Sequence, residues 1–562
     1  MSRAASTWAS VVRLAAGLAA SPVTPLAIGL VLFTGGLLLQ FSLVLNHDVA
    51  WLLIATRRLL AGADVYHRDV VEVNPPLVLY LLAPPVAFSR WLGMPEIFSL
   101  RVYVALVAGA SLAVCAAVLR RLLHHSDAVL RRLLLALLAG LSLVFITRHY
   151  AQREHLLWML VAPYLLVVAA RARRAEVSFT AAVLAGLGGG LAMSLKPHYL
   201  VLALALETLL ALQLRSLRVW LRPELGALVG VGALYLISIP VFTPEYVRFV
   251  VPLALDTYWA YQRPMASLLE IRDLVLLFAA VVAAISLRHD RALRELAIVL
   301  LLASVCFYLL PLIQRTGWRY HVYPFQCAAI VLIGLPLLAQ VRRLPVSATP
   351  RALAFACAAA ISGVLLLVAP AGIGHALREA LGGESDHTSR AARSTHHQVE
   401  SAIEREANGG PVYFFTTGLR GVFPAVNEAG VEFASRFPSL WPLPAVVRSR
   451  HRPLETPARI RAERMDEIER YVLDAVIEDL EAKPPALVFV DVHPRKSGLG
   501  RTQLDFLDLF ARDPRFAKIW SHYEYRRKVA RFEVYARRSQ PGVDGVDRVD
   551  GVDGARDRVG EP

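Results

Sequence analysis

Residues 46–76 read NHDVAWLLIATRRLLAGADVYHRDVVEVNPP, and the reading of this stretch decides the fold. It follows a strongly apolar segment at once and carries acids in a polar setting, so Asp48 lies a few residues past the end of a hydrophobic span. An ionised carboxylate at that boundary must find water, a cation or a substrate group. A short amphipathic segment, residues 49–61, leads into Gly62, Asp64, Tyr66, Asp69, Glu72 and Asn74. Pro75 and Pro76 then end any preceding helix and hold the chain before them extended.

Outward from this stretch the chain is apolar in blocks. It has 562 residues, 56% of them hydrophobic, with a mean hydropathy of +0.48, and the apolar residues alternate at neither the strand nor the helix period. This is the pattern of a polytopic α-helical membrane protein. Eleven blocks can be drawn, at 22–45, 97–119, 133–147, 156–170, 179–195, 199–214, 224–242, 272–287, 295–313, 322–340 and 352–371. Residues 77–92 are set apart as a re-entrant or interfacial piece, interrupted by Pro84 and Pro85. The apolar stretch near the N-terminus runs on to Leu45, so an uncleaved first span is expected, with residues 1–21 cytoplasmic.

The formal net charge of +15 would suggest nucleic acid in a soluble chain. Here the arginines gather in short loops at 120–132, 171–174, 215–222, 288–294 and 342–351, where the positive-inside rule puts them. No nucleic-acid partner is expected. The alternate loops, 46–96, 148–155, 196–198, 243–272 and 314–321, then face outward and collect nearly every residue able to do chemistry. The four cysteines all lie in apolar segments and define no disulfide framework or zinc motif.

From about residue 375 the charge rises and the apolar runs shorten. A small extracytoplasmic α/β domain is expected over 375–540, with helices at 389–407 and 459–482 and strands at 411–416, 486–492 and 530–536. The tail, 541–562, repeats Gly-Val-Asp and is expected to be disordered.

Each candidate side chain has two readings. Asp48 is a general base on a hydroxyl, or an ordinary interfacial acid or helix cap. Arg153 pairs with a phosphate, or with its neighbour Glu154 in an internal salt bridge. Lys196 is a point charge for a phosphate, or snorkels to the interface. The aromatics of 258–261 and 318–320 stack on a sugar, or anchor the bundle at the interface. Glu207, in the middle of an apolar block, needs a partner that the spacing does not name.

The order of these motifs resembles the polytopic glycosyltransferases of superfamily C, nearest the protein mannosyltransferase and aminoarabinose transferase branch. It runs from a span ending in an acid, through Gly-Ala-Asp-x-Tyr, Asn-Pro-Pro-Leu and Arg-Glu, to Leu-x-Met-Ser-Leu-Lys-Pro and Trp-x-Tyr-His-x-Tyr-Pro, over residues 22–340. The resemblance implies transfer of a sugar, with inversion, from a polyprenyl-phosphate donor to a cell-envelope glycan or lipid acceptor. Transfer takes place at the extracytoplasmic face of a bacterial inner membrane. Asp48 matches the family's catalytic acid, and Arg153, Lys196, Arg319 and His321 match its donor-phosphate groups. Many members carry Asp-Glu where this chain has Asp48-Val49, so a second acid is sought in Glu72 or Glu154. Tyr66, Asp69, Asn74, His155, His198 and Tyr320 are the remaining candidates for substrate contacts. No metal or other cofactor is expected. The alternative from another class is a transporter or flippase of a lipid-linked saccharide, which would favour polar groups near the bilayer midplane between repeated halves.

Overall fold

The computed structural model describes residues 24–123, 127–343, 387–453 and 456–538. Ten of the eleven apolar blocks coincide with helices, and the eleventh, 352–371, lies outside the described residues, as do 1–21 and 541–562. Among the described residues seven helices are long and apolar enough to cross a bilayer, from Glu96–Leu122 to Arg319–Ala339; a bent pair makes an eighth. Two further blocks form helices of 16 residues each, Phe179–Ser194 and Ile271–Ser286, fewer than the roughly 20 of a straight span.

The bent pair is the first span and the amphipathic segment. Thr24–Ser42 ends where the Arg101 guanidinium donates to the carbonyls of Phe41 and Leu43. A cation on the orphan carbonyls of a helix C-terminus is favourable. The chain then turns by 77° into His47–Leu60. Asn46 caps this second helix, its side chain accepting from the Asp48 amide, and Asp48 stands in the first turn, where the helix dipole favours a carboxylate. Leu77–Leu92 starts directly after Pro76 and runs through Pro84 and Pro85 unbroken, so those prolines do not interrupt it as the sequence had suggested.

The helices are joined by close packing where side chains are smallest. Along Phe179–Ser194, a Cβ on Gly186 would collide with the backbone of Glu224, and one on Gly190 would sit 2.7 Å from Val231 Cβ. This is the small-xxx-small arrangement that lets membrane helices approach backbone to backbone. Glu207 finds its partners here too: the Tyr164 hydroxyl donates to it at 2.5 Å, and Arg222 returns from the following turn to pair with it.

The bundle has two chemically different ends. At one, Arg171 and Arg222 pair with Glu224 at 2.9 and 3.1 Å, and Arg173 donates to the carbonyls of Leu122 and Ala292. Arg153–Ala172 has 20 residues, about 30 Å of helix, so Arg153 at its start marks the opposite end. That end carries the C-terminal domain, a four-stranded sheet of order β1-β2-β4-β3. Here β1 is Val412–Phe415, β2 Leu487–Asp491, β3 Tyr523–Val529 and β4 Phe532–Arg537. β1 and β2 are parallel and the other pairs antiparallel. β3 went unread in the sequence because its interior is exposed and charged, as suits an edge strand.

The segment 433–441 is the seam between domain and bundle. Arg58 donates to the carbonyls of Ser435 and Phe433, the Val71 amide donates to the Arg436 carbonyl at 2.8 Å, and Trp441 Nε1 donates to the Val71 carbonyl at 3.3 Å. Arg436 is itself fixed by Asp479, at 2.8 Å from Nε and 2.9 Å from its backbone amide.

Gly186→Val tests the glycine contact. Overpacking of this kind costs about 1–3 kcal/mol, and the expected result is a lower melting temperature of the detergent-solubilised protein than for Gly226→Val, whose Cβ would meet open space.

Candidate active site

The site is assembled from four chain segments brought to the domain-bearing end. Gln152 precedes helix Arg153–Ala172 and joins the first to the second: its Nε2 donates to Asp48 Oδ2 and to Asn46 Oδ1, both at 2.8 Å. Asn46 in turn donates to the Arg148 carbonyl at 3.2 Å. The Asp48 carboxylate is thereby fixed on one oxygen while its side chain keeps 19% of its surface exposed, the condition for a group that is both oriented and reachable. His47 Nε2 lies 3.5 Å from its other oxygen. Burial pushes the His149 imidazole down to about 4, so this ring is neutral beside the acid.

The next residue, Arg153, is buried, with 3% of its surface exposed. Its Nη2 reaches the Tyr320 hydroxyl at 3.4 Å, and its Nε has no hydrogen-bond partner. An orphaned guanidinium N–H in a buried place costs free energy that a bound anion would recover. Arg153 lies within Coulombic reach of both Asp48 and Glu72. Glu154 beside it points the other way, into Lys196, which donates to Glu154 Oε1 at 2.6 Å; His321 Nε2 lies 3.5 Å from the same oxygen and 3.2 Å from Lys196 Nζ, and the Tyr199 hydroxyl donates to it at 3.3 Å. Glu154 is therefore the counter-ion of Lys196, not a free base.

Glu72 is buried and held by the Trp51 indole at 2.5 Å, by the Asn74 amide at 2.7 Å and by the Asn74 side chain. Burial raises its carboxyl above the ordinary value, against the pull of the Asn74 N–H. Asn74 and Tyr66 belong to the same frame, the Tyr66 hydroxyl donating to the Asn74 carbonyl at 2.9 Å. Tyr66 holds a positive φ of 82°, a conformation that a bulky residue keeps only where its surroundings enforce it.

Four expected contacts fall elsewhere. Arg319 is exposed and makes a two-pronged pair with Glu270 at 2.7 and 2.8 Å, because the turn Arg319–Val322 aims Tyr320 and His321 inward and Arg319 outward. His155 spends both ring nitrogens on the backbone, Nε2 at 2.6 Å from the Ser142 carbonyl and Nδ1 accepting from the Ala151 amide at 3.1 Å. Asp69 closes the turn before it, accepting from the Asp64 amide at 2.7 Å. His198 stands at the rim, linked to Lys196 only through Gln314, at 2.7 Å from His198 and 3.5 Å from Lys196.

Three contributors were missed in the sequence. Asn46 and Gln152 are neutral amides whose role is visible only once two distant segments meet. Arg420, an exposed residue of the C-terminal domain, lies near enough to His47 and His149 to disfavour their protonation slightly, after burial, the larger cause, and nothing in its local sequence points to this neighbourhood. Aromatic rings wall the same space: Tyr258 stands 6.2 Å from Trp318 and 5.7 Å from Trp441, and Trp318 stacks on Tyr320 at 6.1 Å. Tyr258 is within Coulombic reach of Asp48 and Glu72.

No protein-family model and no curated protein sequence matches the chain. Among solved structures it is similar to ArnT from Cupriavidus metallidurans in the apo state, with 12% identity and a TM-score of 0.50, over 92% of this chain and 97% of that one. The apo oligosaccharyltransferase of Archaeoglobus fulgidus follows at 11% identity and a TM-score of 0.41, over 83% of this chain and 70% of that one. Arabinofuranosyltransferase AftD from Mycobacteria gives 16% identity and a TM-score of 0.38, over 92% of this chain and 40% of that one. The chain shares its fold with ArnT over nearly the whole length of both chains.

The Glu154–Lys196 pair is buried on both sides, and removing one partner strands the other charge. Glu154→Gln and Lys196→Met are each expected to destabilise the protein by about 3–5 kcal/mol. The double variant should recover part of that loss, measured as a coupling energy in a double-mutant thermal-unfolding cycle.

Proposed function

We propose that the protein is a glycosyltransferase of the bacterial inner membrane. It moves a sugar from a polyprenyl-phosphate donor to a hydroxyl of a cell-envelope glycan or lipid, on the extracytoplasmic face. The observation that carries this reading is the meeting of an oriented, reachable carboxylate, Asp48, with the buried and incompletely satisfied guanidinium of Arg153 through the single residue Gln152. The fold shared with ArnT supports it. So does the separation of the two ends, since the arginine-rich turns at the other end suit the cytoplasmic side.

In this scheme the acceptor hydroxyl gives its proton to Asp48 as its oxygen bonds to the anomeric carbon. The bond from that carbon to the phosphate oxygen breaks, and the electron pair leaves on the lipid phosphate. Arg153 stabilises the charge that develops there, with Lys196 and His321 behind it. A single displacement inverts the anomeric centre. Glu154 and Glu72 act as positioning residues, the first by holding Lys196 and the second by tying Trp51 to Asn74. Tyr258, Trp318 and Tyr320 offer rings for the sugar. The transporter alternative draws no support from Glu207, whose charge is matched by Arg222.

The test is a transfer assay on detergent-purified protein with a panel of polyprenyl-phosphate sugars. Asp48→Asn should keep its donor affinity and lose at least about a hundredfold in kcat, the usual size of a general-base contribution. Full turnover by this variant would remove Asp48 from the role. Arg153→Gln should instead weaken donor binding, read as a raised KM for the lipid donor. An unchanged KM and kcat would detach Arg153 from the phosphate.

A further inference from the structure

The transfer scheme leaves one charge at the mouth of the site unused. Arg420 follows β1 by five residues and stands at the carboxyl end of the parallel pair β1 and β2, the end where open α/β sheets commonly bind ligands. Its turn is held in shape. The amides of Val422 and Phe423 both donate to the Leu419 carbonyl, at 3.1 and 3.2 Å. Gly421 has a φ of +86°, and a Cβ there would meet Thr395 Cγ2 at 3.1 Å and the Phe532 ring at 3.2 Å, so glycine lets the turn lie this close to the rest of the domain. The turn also rests on the bundle: the Phe423 ring is 5.7 Å from that of Trp51, and Asn427 Nδ2 donates to the Ala50 carbonyl at 3.0 Å. Ala50 and Trp51 are two and three residues beyond Asp48 on the same helix.

Arg420 is therefore carried by the soluble domain to the start of the Asp48 helix, close to His47 and His149. It is exposed, and among the described residues its guanidinium makes no hydrogen bond or ion pair. The acids of the neighbouring segments are committed elsewhere: Asp48 to Gln152 at 2.8 Å, Glu428 to His396 at 2.7 Å and Asp491 to Arg531 at 2.6 Å. A solvated arginine is ordinary on an exposed loop. This one has its backbone fixed by the domain's packing, beside a reachable carboxylate, with no acid to neutralise it. A guanidinium fork in that position suits a carboxylate or a phosphate, which it can meet with two parallel hydrogen bonds. Arg153 reaches Tyr320 instead and serves the donor, so Arg420 is left for the acceptor.

We propose that Arg420 binds an anionic group of the acceptor, a carboxylate or a phosphate, and so selects acceptors that carry this charge beside the accepting hydroxyl. On the transfer reading above, on which this assignment rests, Asp48 repels an acceptor of its own sign. A guanidinium at the same mouth offsets that repulsion and orients the hydroxyl through the anion next to it. The soluble domain thereby shares in acceptor recognition: it supplies the cation, and the bundle supplies the base.

The experiment measures, by titration calorimetry, the binding of hexyl glucoside, hexyl glucuronide and hexyl glucoside 6-phosphate to the full-length protein in phosphatidylcholine nanodiscs. The wild type should bind a charged probe about tenfold or more tighter than the neutral one, the size of a hydrogen bond to a charged group. Which charged probe binds tighter separates carboxylate from phosphate. Arg420→Gln should lose the preference at an unchanged melting temperature, since the side chain is exposed, and Arg420→Lys should keep part of it as a point charge. Arg537→Gln is the control for net charge. Phe532 pairs with Asp491 and Ala536 with Leu487, so Arg537 lies at the opposite end of the sheet, and its loss should leave the preference intact. A wild type without preference, a preference that survives Arg420→Gln, or one that falls equally in Arg537→Gln overturns the proposal. Binding needs neither donor nor turnover. Charge preference without sugar transfer therefore counts against the proposed activity alone, and transfer without charge preference against the role of Arg420 alone.

Discussion

A lysine and a glutamate buried together where the helices end constrain everything around them. Glu154 stands in the first turn of its helix and Lys196 in the bend after Phe179–Ser194; they lie 2.6 Å apart and are almost wholly enclosed. Charges taken out of water are stabilised by each other and by neighbouring polar groups: the Tyr199 hydroxyl donates to Glu154 Oε1 and His321 lies 3.5 Å from it, while Glu154 Oε2 has no hydrogen-bond partner among the described residues. The starts of three apolar helices are thereby gathered at one point. Because Glu154 is committed to this knot, the two residues before it, Gln152 and Arg153, are turned toward Asp48 and Tyr320. The arrangement of the candidate site follows from an ion pair that takes no part in the proposed proton transfer.

Much of this was legible in the sequence because membrane burial writes itself in simple terms. Blocks of apolar residues mark helices, and charges that interrupt them mark ends, so Asp48, Arg153, Lys196 and His321 could be grouped before any coordinates existed. What was hidden was direction. Arg319 and His321 are two residues apart on one tight turn, and the pattern gave no sign that one faces Glu270 and the other Lys196. His155 looked reactive by type, yet its neighbours' backbone consumes both nitrogens. Asn46, Gln152 and Arg420 escaped notice because their importance comes from partners about 100 or more residues away along the chain.

The C-terminal domain is not an appendage. Arg58, Val71 and Ala50, all in the first outer stretch, are hydrogen-bonded to residues 427–441, while Tyr261 and Arg448 tie the 258–261 turn to the same domain. Trp51 completes the seam from below, its ring 5.7 Å from Phe423 and 5.9 Å from Phe433 while its indole holds Glu72. Two faces of one tryptophan thus connect the packing of the soluble sheet to the electrostatics of the site.

The glycine edge of Phe179–Ser194 has a consequence for how such a chain can drift. Its partner, Pro223–Phe242, has only 11% of its spanning window inside the protein, so most of that helix faces what surrounds the bundle and is indifferent to which apolar residue occupies each position. The glycine line of Phe179–Ser194 has no such latitude, since a methyl added at Gly186 meets the main chain of Glu224. Of two helices packed together, one thus has room for exchange of apolar side chains around most of its circumference, and the other has almost none along the line where they touch.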